Sequence, residues 1–237
     1  MSTGSVSRPS FRRTPLLAVA LALGLLAPAH AATPVPFGPS LEAAGWDAIT
    51  FRGIPATTYA ADGVDQLSVV AQASSSVLAL RLPAEAFDAT TATWRWRVDE
   101  GPPATDLAQR GGDDRALALY FAFAPEGDRG AAEAGRSSLR SLLLSGRGRL
   151  IVYVFGGAGE RGQFVENPYA RGSGVYVIRR PAGAPTGTWL SEEVDLARDY
   201  RAAFGEEPGI LVGLAVASDS DDTGGRNVGA LGGIVLR

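Results

Sequence analysis

Apolar residues in this chain recur at every second position, run after run, and that spacing restricts it to a sheet-built fold. "SVLALRL" (76–82) sets Leu78, Leu80 and Leu82 on one face. "TWRWRVD" (93–99) groups Trp94, Trp96 and Val98 against Arg95 and Arg97. "ALALYFAF" (116–123) groups Leu117, Leu119, Phe121 and Phe123 against Ala116, Ala118, Tyr120 and Ala122. Side chains alternate across a strand, whereas a helix would bring every third or fourth residue together. Segments 48–53, 66–73, 150–155, 174–180, 210–218 and 232–237 read as strands on the same grounds.

One stretch has the other period. In "SEEVDLARDYRAAFG" (191–205), Leu196, Tyr200 and Phe204 recur every four residues and predict one amphipathic helix. Ser191 is its predicted N-cap, Glu192 and Glu193 suit its first turn, and Gly205 is its predicted stop. Residues 125–148 are small and polar, and they are expected to form a mobile loop. Many short strands and a single helix predict an all-β chain, an antiparallel β-sandwich of jelly-roll type, with residues 32–237 as one domain.

The first 31 residues stand apart from that domain. Arg8, Arg12 and Arg13 precede "LLAVALALGLLA" (16–27), a run short for a bilayer span, and Ala29-His30-Ala31 offers a small-x-small cleavage site. The expectation is a signal peptide over 1–31 and an exported protein, periplasmic or secreted, with no later transmembrane helix. Its removal takes away the only His and the only Met, and the chain has no Cys. Ser-His-Asp and Cys-His catalysis, the usual zinc sites and haem held by His, Met or Cys are then excluded. All 22 basic residues are Arg, which excludes lysine Schiff bases. A formal charge of −3 and a pI near 5.3 offer no footprint for nucleic acid.

Carboxylates and aromatics carry what chemistry is left. "SDSDDTGG" (218–225) begins like an EF-hand loop, but Ala230 stands where the bidentate Glu belongs and strands flank it. Asp219, Asp221 and Asp222 are its candidate cation ligands, and Ca²⁺ is the ion such hard oxygen donors would take; the alternative is a solvated hairpin turn. In "QRGGDDRAL" (109–117), Asp113 and Asp114 enter a strand as neighbours, so their side chains should diverge. Asp99, Asp113, Asp114, Glu166 and Asp219 are the pool from which a glycosidase pair would come. Trp94 and Trp96 share a face that serves either as a flat platform for sugar rings or as core. Arg95, Arg97, Arg81 and Tyr120 would form one polar face if their strands were neighbours.

Five segments taken together, "WRWRVD", "GGDDRALALYFAF", "NPYA" (167–170), "WLSEEVDLARDYRAAFG" and "GLAVASDSDDTGG", resemble the bacterial domain-of-unknown-function family 3047, from about Trp46 to the C-terminus. The resemblance implies an exported, β-rich fold similar to carbohydrate-binding jelly rolls, and no reaction. The chain departs from that pattern at Ala118, where an Arg is common, at Phe155, where a Trp is common, and at Leu231-Gly232-Gly233-Ile234, which replaces Tyr-Gly-Asp-Ile.

The resulting expectation is a non-catalytic module that binds a glycan or other small polar ligand, with no assigned catalytic residue. Trp94, Trp96, Asp113, Asp114, Tyr120, Asn167 and Tyr169 are its candidate ligand contacts. A carboxylate-based hydrolase or lyase and a structural, protein-binding domain are the other two readings.

Overall fold

The computed structural model describes residues 32–237 except 137, 138 and 146, together with Met1 and Gly4. The expected signal peptide therefore lies outside the described residues. Thirteen strands are present among the described residues: β1 (Thr33–Val35), β2 (Trp46–Thr50), β3 (Thr58–Ala61), β4 (Gln66–Gln72), β5 (Ser75–Arg81), β6 (Thr91–Glu100), β7 (Arg115–Ala124), β8 (Arg149–Phe155), β9 (Phe164–Glu166), β10 (Gly174–Arg180), β11 (Leu190–Asp195), β12 (Ile210–Asp219) and β13 (Arg226–Leu236). One sheet runs β11-β6-β13-β4-β3, with β1 added beside β13; the other runs β2-β5-β12-β7-β8-β10-β9. Every pairing is antiparallel except that of β8 with β10. The chain is thus a jelly-roll-type β-sandwich, as its period-two pattern predicts.

The large alternating residues meet between the sheets. Leu117, Leu119, Phe121 and Phe123 of β7 face Trp94, Trp96 and Val98 of β6 in one cluster. Trp94 and Trp96 are 2 % and 0 % exposed, with ring centroids 5.4 Å apart and Tyr153 and Phe155 against them. They are core, so the expected sugar platform does not form: the face that carries them is the one that holds the sandwich together. Arg95 and Arg97 point outward and lie over the Trp189 ring, at 4.8 and 5.5 Å. Arg81 and Tyr120 belong to the opposite sheet, so the single Arg/Tyr face is not formed either.

The seven-stranded sheet is buried on both faces. Every residue of β7 and β12 is buried, and the face turned away from the partner sheet sets alanines, among them Ala79, Ala118, Ala122, Ala215 and Ala217, beside Val77, Leu150, Val152 and Val154. Short side chains there let other elements settle directly on the sheet. Leu139 packs so closely over Gly213 that a Cβ added at that glycine would lie 2.3 Å from it, and Leu107 packs as closely on Gly157. Leu139 belongs to α2 (Leu139–Ser145), which follows α1 (Arg129–Glu133). Two short helices therefore occupy the segment expected as a loop. Leu139 and Leu142 hold α2 in place by burying themselves, a signal diluted by the Gly and Ser around them.

The remaining helix, α3 (Leu196–Phe204), begins later than expected. Residues 190–195 pair with β6 instead, burying Val194, and Glu192 with them. A buried carboxylate needs cationic partners. Arg161, Arg179 and Arg180 reach Glu192 at 3.1, 2.9 and 2.5 Å, tying β11 on one sheet to β10 on the other. Asp195 is the actual N-cap, accepting from the Arg198 amide at 2.8 Å, and Gly205 ends the helix at φ 70°.

If the tryptophans are core, Trp96→Ala should cost about 3–5 kcal/mol of unfolding free energy. Urea unfolding followed by circular dichroism measures this; an unchanged midpoint would return Trp96 to the surface.

Candidate functional site

The chain crosses from one sheet to the other four times at one end of the sandwich, and the site is built there. β2 leads to β3 through residues 51–57, β4 to β5 through Ala73 and Ser74, β6 to β7 through residues 101–114, and β12 to β13 through residues 220–225. The last of these is a crossover, not the hairpin turn expected for "SDSDDTGG". Hydrogen bonds lock the crossings together. Ala73, at φ 44°, donates to the Gly225 carbonyl at 2.9 Å, and the Ser74 amide donates to Ser220 Oγ at 3.2 Å. Asp114 closes the set: its carboxylate accepts from the amide of Thr223 at 2.8 Å and of Asp222 at 3.4 Å.

Arg115 sits at the centre, 4 % exposed. Parity would point it with Leu117 and Leu119 into the sandwich. The pairing of β7 with β12 steps from Ala118↔Ala217 to Arg115↔Asp219, so β7 spends one more residue than its partner. Such a bulge re-aims a side chain, and Arg115 emerges on the outer face. Its Nη1 donates to the Asp113 carbonyl and carboxylate at 2.8 and 2.9 Å and to Asp219 Oδ2 at 3.2 Å. Nη2 donates to the Tyr120 hydroxyl at 2.7 Å, and the guanidinium carbon lies 5.0 Å from the centre of the Tyr176 ring. The Tyr176 hydroxyl in turn donates to Asp113 Oδ2 at 3.0 Å. Asn227 Nδ2 fixes the backbone behind this group by donating to the carbonyls of Arg115 and Asp219.

Over this network opens a pocket of about 390 Å³. Ile49, Phe51, Ile54, Val77 and Leu150 form its apolar lining. Asp113, Asn167, Tyr169, Asp219, Asp221 and Asp222 bring polar atoms to it, with Tyr120 and Tyr176 between the two kinds of wall. Asn167 is buried and holds its own loop, Oδ1 accepting from the Tyr169 amide at 2.9 Å. Tyr169 is 57 % exposed; its hydroxyl accepts from the Gly111 amide at 3.1 Å and Arg110 lies over its ring.

The candidate contacts Asp113, Tyr120, Asn167 and Tyr169 thus line one pocket together with Asp219, Asp221 and Asp222. Asp114 lies behind the wall as the clasp of the crossover. Trp94 and Trp96 are on the wrong face of the wrong sheet. Sequence reading missed Arg115 and Tyr176. The visible signal was Arg115 itself, a charge opening an otherwise apolar strand. Ala118 lies buried on the pocket's side of β7, two strand positions from Tyr120.

Among the described residues, Asp114, Asp219 and Asp221 have carboxylate oxygens within 4.8 Å of one another, the arrangement a divalent cation would use. Asp222, expected as a ligand, is not in that group. Asp219 Oδ1 is buried with no hydrogen-bond partner. Burial raises the pKa of Asp219 from 3.8 to about 7; Arg115 opposes the shift and the neighbouring Asp221 and Asp114 add to it. Burial also raises Asp113, against the pull of Arg115.

The chain belongs to the DUF3047 family, described as a protein of unknown function, whose model matches residues 44–235. A comparison with curated proteins finds no match. Among solved structures, the chain is similar to the xyloglucanase domain of NopAA, a type three effector from Sinorhizobium fredii solved with cellobiose. The two share 10 % identity at a TM-score of 0.43 over 81 % of this chain and 90 % of that one. It is also similar to the family 11 carbohydrate-binding module of the cellulase Lic26A-Cel5E of Clostridium thermocellum, at 8 % identity and a TM-score of 0.36 over 81 % and 86 % of the two chains. These likenesses concern the sandwich architecture alone.

Two outcomes test the site. Arg115→Met leaves Asp113 and Asp219 buried without their cation and should cost about 3–5 kcal/mol, with Arg115→Lys failing to restore the fork geometry. Asp219 holds its proton to about pH 7 when folded but to only 3.8 in the reference state, so its stabilising effect is complete below pH 3.8 and is lost as the pH rises through 7. The melting temperature should therefore fall between pH 5 and pH 8, and Asp219→Asn should flatten that slope; a slope unaltered in the variant would mean another group titrates.

Proposed function

We propose that residues 32–237 form an exported, non-catalytic binding module that takes a small ligand into the pocket on the outer face of the seven-stranded sheet. The observation that carries this reading is the division of the pocket into an aliphatic wall, Ile49, Ile54, Val77 and Leu150, and a polar wall of Asp221, Asp222, Asn167 and Tyr169. Its volume of about 390 Å³ lies within the range of small-molecule sites. A ligand with an apolar face and a hydrogen-bonding edge complements both walls. A sugar ring has that make-up, with C–H groups on its faces and hydroxyls around its edge, and carbohydrate is the class we put forward.

Binding without turnover follows from how the carboxylates are engaged. Asp113 and Asp219 hold Arg115, and Asp114 holds the crossover. A glycosidase needs two carboxyl groups reaching the scissile bond from its two sides. Asp219 and Asp221, whose oxygens lie within 4.8 Å of each other, come from one segment, and Asp113 is held with Asp219 on the same nitrogen of Arg115.

Ala217 forms part of the pocket floor, so Ala217→Leu should fill it. Calorimetric titration of the mature chain with a panel of mono- and disaccharides should give binding that weakens about tenfold or more in the variant, at an overpacking cost of about 1–3 kcal/mol. A variant that binds like the parent would place the site elsewhere. Release of new reducing ends from an oligosaccharide would overturn the non-catalytic assignment.

A further inference from the structure

The polar half of the pocket carries more negative charge than the protein neutralises. Asp113, Asp219, Asp221 and Asp222 line it against one lining guanidinium, that of Arg115. Both terminal nitrogens of Arg115 are engaged, Nη1 by Asp113 and Asp219 and Nη2 by Tyr120, while its Nε is buried without a partner. Asp219 is only 9 % exposed, and its Oδ1 is buried with no donor reaching it. The crowding is felt by the groups themselves: burial raises Asp222 along with Asp113 and Asp219, and repulsion from Asp114, Asp113 and Asp219 adds to its shift. A partly enclosed site with surplus negative charge and an unsatisfied buried oxygen favours a hydrogen-bond-donating cation over a neutral molecule.

The rest of the pocket says what kind of cation. A metal ion bound by oxygens alone would leave Ile49, Ile54, Val77 and Leu150 facing empty space, whereas an organic frame fills them. We infer that the ligand of this pocket is a small organic amine, its ammonium group seated among Asp219 Oδ1, Asp221 and Asp222 and its carbon frame against Ile49, Ile54 and Val77. This inference rests on the pocket being a binding site, as proposed above, and adds the charge of its occupant. The N–H donors of a primary ammonium match these acidic groups, and the amine adds positive charge to a wall where Arg115 alone supplies it.

The test uses probes matched in frame and differing in charge, titrated calorimetrically at neutral pH into residues 32–237, which hold the whole described core. Glucosamine is set against glucose and N-acetylglucosamine, cyclohexylamine against cyclohexanol, and CaCl₂ is titrated alone. Both amines should bind at least about tenfold more tightly than their neutral counterparts, since a charge-assisted hydrogen bond is worth roughly that difference. Asp222→Asn, which keeps the shape of the side chain but removes its charge, should weaken the amines by about tenfold and glucose by clearly less. Neutral sugars binding as tightly as glucosamine would overturn the inference while leaving the carbohydrate-binding reading intact. Calcium binding without amine binding would overturn it in favour of a metal site. Silence from every probe would overturn both readings.

Discussion

A single buried guanidinium governs one end of this sandwich. An arginine 4 % exposed keeps its charge and so has to be surrounded by acceptors. Asp113, Asp219, Tyr120 and the Tyr176 ring meet most of that demand from three strands, β7 with the residues leading into it, β12 and β10, and only Nε is left without a partner. None of those groups can move independently of Arg115, because each of them would then leave a charge or a hydroxyl unpaired in the interior. The β-bulge that turns Arg115 out of the core is thus as much a part of the site as the side chain itself.

The four crossovers that gather around this end serve the same arrangement. Each carries the chain between sheets and exposes backbone groups that no ladder can satisfy, and the crossings satisfy one another, Ser74 with Ser220, Ala73 with Gly225 and Asp114 with Thr223. That concentration of loop aspartates is what gives the pocket its polar wall. The apolar wall comes from the strands, whose outer face sets Ala217 beside Ile49, Val77 and Leu150. A glycan-type or amine-bearing ligand would meet rigid elements on both sides, which keeps the ordering cost of binding low.

Much of the fold was legible because burial repeats at a regular period. Nine strands were predicted from alternation or from short apolar runs, and each appears among the thirteen. The four that were missed are short or carry little contrast: Thr33–Val35, Thr58–Ala61 and Phe164–Glu166 are three or four residues long, and Leu190–Asp195 owes its strand to pairing with β6. Glu192 shows why local reading failed there. An acidic residue near a helix start looks like a favourable first-turn charge, yet this one lies buried among three arginines distant in sequence. The site was legible in part for the same reason. Asp113, Tyr120, Asn167, Tyr169 and the 219–222 aspartates stood out as polar residues beside apolar strands, whereas Trp94 and Trp96 misled because an aromatic stripe looks the same whether it faces solvent or the second sheet.

By itself the amino-acid sequence determined the sandwich class, the lone period-four helix and the absence of thiol, imidazole and lysine chemistry from residues 32–237, since these depend on residue types and on spacing along the chain. Tertiary structure alone decided which face of each strand is open, that Arg115 leaves its parity at a bulge, and that seven scattered polar residues share one pocket. Those outcomes depend on contacts between segments far apart in the chain, such as Arg115 with Asp219 and Ser74 with Ser220. Local propensity carries no information about such pairings; the need to neutralise a buried charge does, once the sheets have brought its partners within reach.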